Sequence, residues 1–263
     1  MKIGRIRITK FQARIFSWWE LNKRDLPWRH THDPYKILVS EVMLQQTQVS
    51  RVLPKYEEFL YFFPDVYTLA KASLAKLLKV WRGMGYNRRA LYLKKAAQTV
   101  VDTYNGEFPE NEKELVTLPG LGIYTARAIL VFAYSRDIAA VDTNIRRIIT
   151  HFFFNDVPQK EKIIQEVADK LVPMDESWEW HQALMDFGAA HNSLFSIHNS
   201  KINKKKIPFQ KTNRYYRGRL IDILREGPVD EHILVKVFSA SIINGLLKDG
   251  LVERKKGMLR LPD

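Results

Sequence analysis

Residues 115–147 constrain this chain more than any other stretch. They read Leu-Val-Thr-Leu-Pro-Gly-Leu-Gly-Ile-Tyr-Thr-Ala-Arg-Ala-Ile-Leu and run on to Ala-Val-Asp-Thr-Asn-Ile-Arg-Arg. Pro119 lacks the N–H that a helix interior requires, while Gly120 and Gly122 can reach backbone angles that a side chain forbids. The second half, from near Tyr124, carries Ala126, Ile129, Leu130, Phe132 and Ala133 at helical spacing. The order is therefore helix, tight Gly-rich turn, helix, then a short connection ending in the carboxylate of Asp142. Leu121-Gly122-Ile123 would present unpaired N–H groups at a helix N-terminus, where the helix dipole also favours an anion. A Gly-x-Gly turn alone says little, but Asp142 behind it and cations around it point to a phosphate-bearing partner.

The cations are plentiful. Among 263 residues, 42 are Lys or Arg and 29 are Asp or Glu, a formal net charge of +13. A surplus of that size favours polyanions such as nucleic acid. No apolar run of about 18 residues is present and the basic opening MKIGRIRITKFQ lacks a signal-peptide core, so a membrane is the poorer partner and an intracellular, nucleoid-associated location is expected. Cysteine is absent, which removes disulfides, Cys-ligated zinc, iron–sulfur ligation and a cysteine nucleophile together. The seven His residues show no metal-ligand spacing with a carboxylate, so a cofactor-free monomer is expected, with room for a monovalent or divalent ion at the hairpin.

Along the chain the pattern is almost wholly helical. An amphipathic helix is expected over 10–22, and Asp33-Pro34 opens a second that runs through ILVSEVMLQQTQVSRVLPKYEEFLYFF with a break near Pro54. Glu41 stands in the apolar run ILVSEVML, where a carboxyl must find a partner or stay protonated. Further helices are expected over 66–72, 73–81 and 88–104, with the Gly-punctuated turn Trp81-Arg82-Gly83-Met84-Gly85-Tyr86-Asn87 before the last. Others follow at 144–153, 159–172 and 179–190. From Asn199 to Arg219 there are eight Lys and Arg and no acid, so 199–213 reads as a basic linker along a phosphate backbone. Helices over 214–225, 230–237 and 239–248 followed by a basic-tipped hairpin give residues 214–263 a winged-helix plan. The fold class is all-α with that small module appended.

A phosphate-gripping hairpin, two special carboxyls and excess cations suggest chemistry on DNA. A stacked base must be flipped out before its glycosidic bond can be reached. Cleaving that bond needs an acid to help the base leave and an anion to stabilise the oxocarbenium-like sugar. Glu41, in surroundings that disfavour its charge, suits the acid, and Asp142 beside the hairpin suits the anion.

The motifs resemble those of the helix–hairpin–helix DNA glycosylases, and within them the MutY-type adenine glycosylases. The matching stretches are Leu26-Pro27-Trp28-Arg29, Asp33-Pro34-Tyr35-Lys36, the run from Ser40 to Val49 (SEVMLQQTQV), Leu118 to Ala126 (LPGLGIYTA) and Val141-Asp142-Thr143-Asn144. The resemblance spans about residues 10–190. It implies two helical lobes with a cleft between, one formed by 1–25 with 135–198 and the other a six-helix barrel over 26–134. It implies that Glu41 protonates adenine N7, that Asp142 stabilises the sugar cation with Asn144 in support, and that Tyr124 stands where lyases of the family carry the imine-forming Lys. A monofunctional enzyme acting on mispaired double-stranded DNA follows. Gln182, Trp28, Arg29, Leu44 and Val49 would line the base pocket. Gln46, Gln48, Tyr86, Arg88, Gly120 and Gly122 would meet the duplex, Gln46 as wedge and Tyr86 beside the orphaned guanine or 8-oxoguanine, and Lys204, Lys205 and Lys206 of the linker would add backbone contacts.

Two other readings stay open. Thymine or uracil glycosylases of G:T mispairs share Tyr124, Trp28-Arg29-His30-Thr31 and Leu184-Met185-Asp186-Phe187, whereas Gln182 and Val49 favour adenine, since an amide both donates to and accepts from a purine edge. A non-catalytic DNA-binding protein would not need Glu41, Tyr124 and Asp142 together. The chain also departs from the family pattern in three places. Gly188-Ala189-Ala190-His191 leads to no four-cysteine iron–sulfur loop; residues 214–263 stand in place of the domain that reads 8-oxoguanine; and Gly-Tyr-Asn replaces Gly-Tyr-Tyr at 85–87.

Overall fold

The computed structural model describes residues 4–191, 193–195 and 208–263. In chain order the elements are α1 (Arg5–Asn22), a 3-10 turn at Pro27–Arg29, α2 (Pro34–Leu44), α3 (Val49–Phe62), α4 (Val66–Lys71), α5 (Leu74–Val80) and α6 (Arg88–Tyr104). Then come α7 (Glu112–Leu115), α8 (Ile123–Tyr134), α9 (Thr143–Phe154), α10 (Glu161–Leu171) and α11 (Ser177–Ala190). After a second 3-10 turn at Phe209–Lys211 follow α12 (Asn213–Glu226), β1 (Val229–Asp230), α13 (Glu231–Leu234), α14 (Ala240–Lys248), β2 (Glu253–Lys255) and β3 (Met258–Arg260). The protein is mostly helical, as expected.

Three expectations need correction. The first helix begins at Arg5, five residues early, so Arg5 and Arg7 are already helical. The long helix breaks at residues 45–48, and Pro54 lies inside α3. Pro54 is exposed, as is Ser50, so solvent reaches the carbonyl that the ring deprives of a donor, while Val52, Tyr56 and Phe59 bury the opposite face. The helix expected over 230–237 is the strand β1 followed by the single turn α13.

Two compact units emerge. The first comprises residues 4–38, 110–116 and the described residues from 121 to 195. Its core joins Phe11, Ile15 and Trp19 of α1 to Ile145, Ile148 and Ile149 of α9 and to Trp180, Ala183 and Leu184 of α11. The spacing of the α1 residues puts them on one stripe, and each buried side chain of this size contributes about 1.5–3 kcal/mol. Asp186 of α11 fastens this unit further. Its carboxylate accepts hydrogen bonds from Trp19 Nε1 (3.0 Å), Arg24 N (3.1 Å) and Nε (2.6 Å), and Arg29 Nη1 (2.9 Å) and Nη2 (2.7 Å). Burial pushes that carboxyl up, but the Arg29 and Arg24 contacts outweigh it and hold it below the usual carboxylate range.

The second unit comprises residues 39–109, 117–120 and 208–263. Phe59, Phe63 and Trp81 are fully buried at its centre, with Phe59 against Phe63 at 5.0 Å and edge-on to Trp81 at 5.9 Å. The C-terminal module is part of this unit. Arg225 of α12, only 5% exposed, donates from Nε to the Leu78 carbonyl (2.8 Å) and from Nη2 to Asn87 Oδ1 (3.1 Å). The Pro262 carbonyl accepts from Ala75 N (2.8 Å). Within the module β3 pairs antiparallel with both β1 and β2, Val229 facing Leu259 and Arg254 facing Leu259 from the other side. Helix, short strand, helices and a terminal hairpin follow in that order, so the hairpin stands where the wing was expected and β1 is an addition to the plan.

Candidate active site

The hairpin turn forms between α7 and α8. Gly120 has φ +81, and a Cβ there would stand 2.6 Å from the Tyr92 Cβ, so both backbone angle and space demand glycine. Gly122 corrects the sequence expectation. It is the N-cap of α8 at φ −97, an angle open to any residue, and nothing lies within 4 Å of the Cβ it lacks. Ala126 N bonds back to the Gly122 carbonyl at 3.0 Å, so the helix starts here, with Ile123 exposed and Tyr124 half-buried in its first turn. The open space at Gly122 is room at a helix N-terminus.

Asp142 is the N-cap of α9. Its side chain accepts from Ile145 N at 2.7 Å and from Asn144 Nδ2 at 3.2 Å. Burial raises its pKa; the hydrogen bonds from Ile145 and Asn144 and the charge of Arg147 pull the other way without cancelling it. Asn144 is held from behind, because α9 and α11 approach closely at Gly188, where a Cβ would lie 2.7 Å from the Asn144 Cβ. One helix-turn from Asp186 on α11 sit His181 and Gln182. His181 is 1% exposed; its Nε2 accepts from Ala140 N (2.9 Å) and its Nδ1 donates to the Ser177 carbonyl (2.5 Å). Burial pushes its pKa down to about 4, so it is neutral at physiological pH and anchors the segment leading to Asp142. Gln182 is 5% exposed, and none of the described residues hydrogen-bonds its amide. Its amide atoms are not sealed from solvent, so a ligand that reaches them takes the place of water as partner.

Trp28 and Arg29 are both buried. The Arg29 terminal nitrogens are taken up by Asp186 and by the Arg24 carbonyl (2.7 Å), leaving only Nε unpaired among the described residues. Arg29 is thus engaged in holding the turn at 27–29, a role its motif position alone did not reveal.

In the second unit Glu41 is 7% exposed in the last turn of α2, with Leu44 at its end and Val49 opening α3, both half-buried. Between them the backbone turns at Gln46, exposed, with φ +55; Gln48 is the N-cap of α3 and also exposed. Tyr86 has φ +47 on the turn before α6. A non-glycine residue in the left-handed region costs about 1–3 kcal/mol and needs its surroundings to hold it. One guanidinium does this for both loops. Arg89 Nη1 donates to the carbonyls of Val42 (2.8 Å), Met43 (2.9 Å) and Gln45 (2.6 Å), and Nη2 to Thr47 Oγ1 (3.0 Å) and the carbonyls of Met84 (2.9 Å) and Gly85 (3.3 Å). It takes up the open carbonyl end of α2 straight after Glu41 and ends that helix ten residues before Pro54. Burial draws its pKa down to about 10, which leaves it protonated at neutral pH. Sequence reading missed Arg89; its neighbour Arg88, which was singled out, instead bonds Tyr92 Oη (2.9 Å) at the surface. Lys204, Lys205 and Lys206 lie outside the described residues.

The family resemblance raises the question of an iron–sulfur cluster after Gly188. The residues there do not fit one. No thiol is available anywhere in the 263 residues. The ring of His191 instead stacks on Phe187 at 4.2 Å, Trp18 meets both edge-on at 5.2 Å, and Phe195 is buried against His151 at 5.4 Å. Among the described residues no group of three or more His, Asp or Glu is placed to hold a metal, and no helix is long and apolar enough to cross a membrane.

Comparison with known proteins agrees with this geometry. Residues 39–174 match the model of the HhH-GPD superfamily base excision DNA repair proteins. An adenine DNA glycosylase of Mycolicibacterium smegmatis is 34% identical over 92% of this chain and 92% of its own. A thymine/uracil-DNA glycosylase of Methanothermobacter thermautotrophicus is 36% identical over 68% of this chain and 83% of its own. The solved structure of a thermostable thymine-DNA glycosylase superposes with a TM-score of 0.66 at 33% identity, covering 70% of this chain and 86% of that one. With the hairpin, the capped aspartate and the buried glutamate each in its expected element, the chain belongs to the HhH-GPD superfamily of base excision DNA repair proteins.

Proposed function

We propose that this DNA glycosylase removes adenine mispaired with guanine or 8-oxoguanine in double-stranded DNA, as a monomer, without a cofactor and without cutting the strand. One observation carries the choice of base: the adenine DNA glycosylase relative aligns over 92% of the chain, which reaches into residues 214–263, whereas the thymine/uracil relative aligns over 68%. The unpaired amide of Gln182 supports it, offering both a donor and an acceptor to a purine edge.

In this reading Glu41 gives its proton to N7 of the flipped adenine, so that the base leaves neutral as the C1′–N9 bond breaks. Asp142, kept in place by Ile145 and Asn144, stabilises the cationic sugar until water adds at C1′. Tyr124 has no amine to form an imine, so the product is an intact strand with an abasic site. The N–H groups at Gly122 take a phosphate oxygen. The 36% identity to a thymine/uracil enzyme sustains the second reading, excision of thymine or uracil opposite guanine.

Single-turnover assays on duplexes with A opposite 8-oxoguanine, A opposite G, and T or U opposite G separate the two. Adenine release with strand breakage only after hot alkali is the expected result, with no borohydride-trapped complex. Release of T or U would replace the first reading by the second, and trapping would overturn the monofunctional assignment.

The hairpin glycines make a paired prediction. Gly120→Ala should destabilise the protein, by about 1–2 kcal/mol from the backbone angle alone and more from the contact with Tyr92. Gly122→Ala should change stability by less than about 1 kcal/mol yet weaken duplex binding, because its methyl group fills the space left for phosphate. Thermal melts and DNA titrations of both variants check this; unchanged binding by Gly122→Ala would remove the phosphate from that site.

A further inference from the structure

The second unit holds a cleft of about 680 Å³ whose walls are the Gln46 loop, the Tyr86 turn and α12 of the C-terminal module. Its lining is unusually cationic, with Arg51, Arg88, Arg214, Arg217 and Arg219 among it. Arg217 is paired with Asp249, but among the described residues Arg51 and Arg219 have no acidic partner and both are exposed.

At the centre of the cleft cations and rings alternate. The Arg214 guanidinium lies 3.9 Å from the Tyr86 ring centroid and also hydrogen-bonds the Tyr86 hydroxyl. The Phe209 ring, 52% exposed, lies 5.3 Å from the same guanidinium. Tyr86 meets Arg89 at 5.5 Å, and Arg89 in turn is 5.5 Å from Trp81. Trp81 is fully buried and Arg89 is fixed by six hydrogen-bond acceptors, so that end of the ladder is rigid. Arg214 is exposed and, among the described residues, is held by Tyr86 and Phe209 alone, so that end is free to open. A base that stacks on Tyr86 must therefore come in where Arg214 now lies.

We propose that Arg214 is a specificity-determining residue of the DNA site: displaced from the Tyr86 ring by the unpaired purine, its planar guanidinium turns to that purine's edge, while Arg51 and Arg219 take the flanking phosphates. The reasons are chemical. A guanidinium pairs two-pronged with the O6 and N7 acceptors of guanine, and a pyrimidine or a missing base offers no such pair. An aromatic ring covered by a guanidinium is a stacking surface for a base. The winged-helix module thereby reads what stands opposite the excised base. This rests on the base-excision reading above.

The test uses the full chain and duplexes carrying a tetrahydrofuran abasic analogue, which no glycosylase can process, placed opposite guanine or opposite a second tetrahydrofuran. The wild type should prefer the guanine duplex. Arg214→Ala should lose about 5- to 150-fold in affinity for that duplex and change less than about threefold on the base-less one. Arg214→Lys, charged but not planar, should fail in the same way. Arg219→Gln should weaken both duplexes equally and lower the salt slope by about one. Equal weakening of both duplexes by Arg214→Ala would make Arg214 a phosphate contact only, and unchanged affinity would make it a surface residue; either result overturns the proposal. A wild type that releases adenine yet shows no guanine preference overturns it as well, whereas one that releases no base sinks the underlying reading instead.

Discussion

Asp142→Asn is expected to abolish base release while making the protein harder to melt at neutral pH. The two effects have one cause. Burial raises the Asp142 pKa above its ordinary 3.8 despite hydrogen bonds from Ile145 and Asn144. A carboxyl whose folded pKa is raised contributes stability below its unfolded pKa and loses it as pH rises through the folded value. At pH 7 the ionised side chain therefore works against folding. Asn caps a helix as well as Asp does, so the amide in the variant would keep the bond to Ile145 N and drop the charge. The melting temperature should rise at pH 7, by about 2–4 °C for each kcal/mol relieved, and the difference should vanish near pH 3. Base release should fall by about 10²–10³-fold or more, since removing one preorganised electrostatic group costs that much. Mispair binding should persist. A variant that melts lower at pH 7, or that excises at the full rate, would contradict the role given to this carboxylate.

The helices were legible because their causes are local. Apolar spacing and a capping residue such as Asp33 placed nearly all of them within a few residues, and the 214–263 pattern gave helices and a hairpin in the right order. The hairpin was legible for the same reason, although only Gly120 needs its glycine for the fold; Gly122 is explained by what it leaves empty.

What could not be read is carried by long-range guanidinium bonds. Pro54 looked like the natural break in the helix after Asp33, yet α3 runs through it, and the break falls where Arg89, more than forty residues on, collects the carbonyls of Val42, Met43 and Gln45. Arg29 looked free for a base because nothing in its neighbourhood announces Asp186, 157 residues away. Arg225 likewise binds the module to Leu78, so residues 214–263 share a unit with the Tyr86 turn rather than standing apart from it. One-letter patterns mark an arginine as a charge and do not say which carbonyls it will meet.

Arg89 should accordingly be among the most damaging single positions to change. Arg89→Ala would strip donors from five backbone carbonyls and the Thr47 hydroxyl at once. Hydrogen bonds to a charged group contribute about 1.5–3 kcal/mol each and a buried carbonyl left without a donor costs about 1–3 kcal/mol, so even with solvent entering, a loss of about 3 kcal/mol or more is expected, about 6–12 °C in melting temperature. Arg89→Lys is the more informative variant. Its ammonium keeps the charge but offers three donors from one point, which cannot span the Gln45 and Met84 loops together. It should fold with a smaller loss in melting temperature, yet release adenine slowly and bind mispaired duplex weakly, because Gln46 and Tyr86 would relax from φ +55 and φ +47 toward ordinary angles. Both loops would then present their side chains differently, and the α2 turn bearing Glu41 would lose its fixed end. If Arg89→Lys melted like the wild type and excised at the wild-type rate, the two loops would be held by their own packing, and the guanidinium would be a consequence of their arrangement rather than its cause.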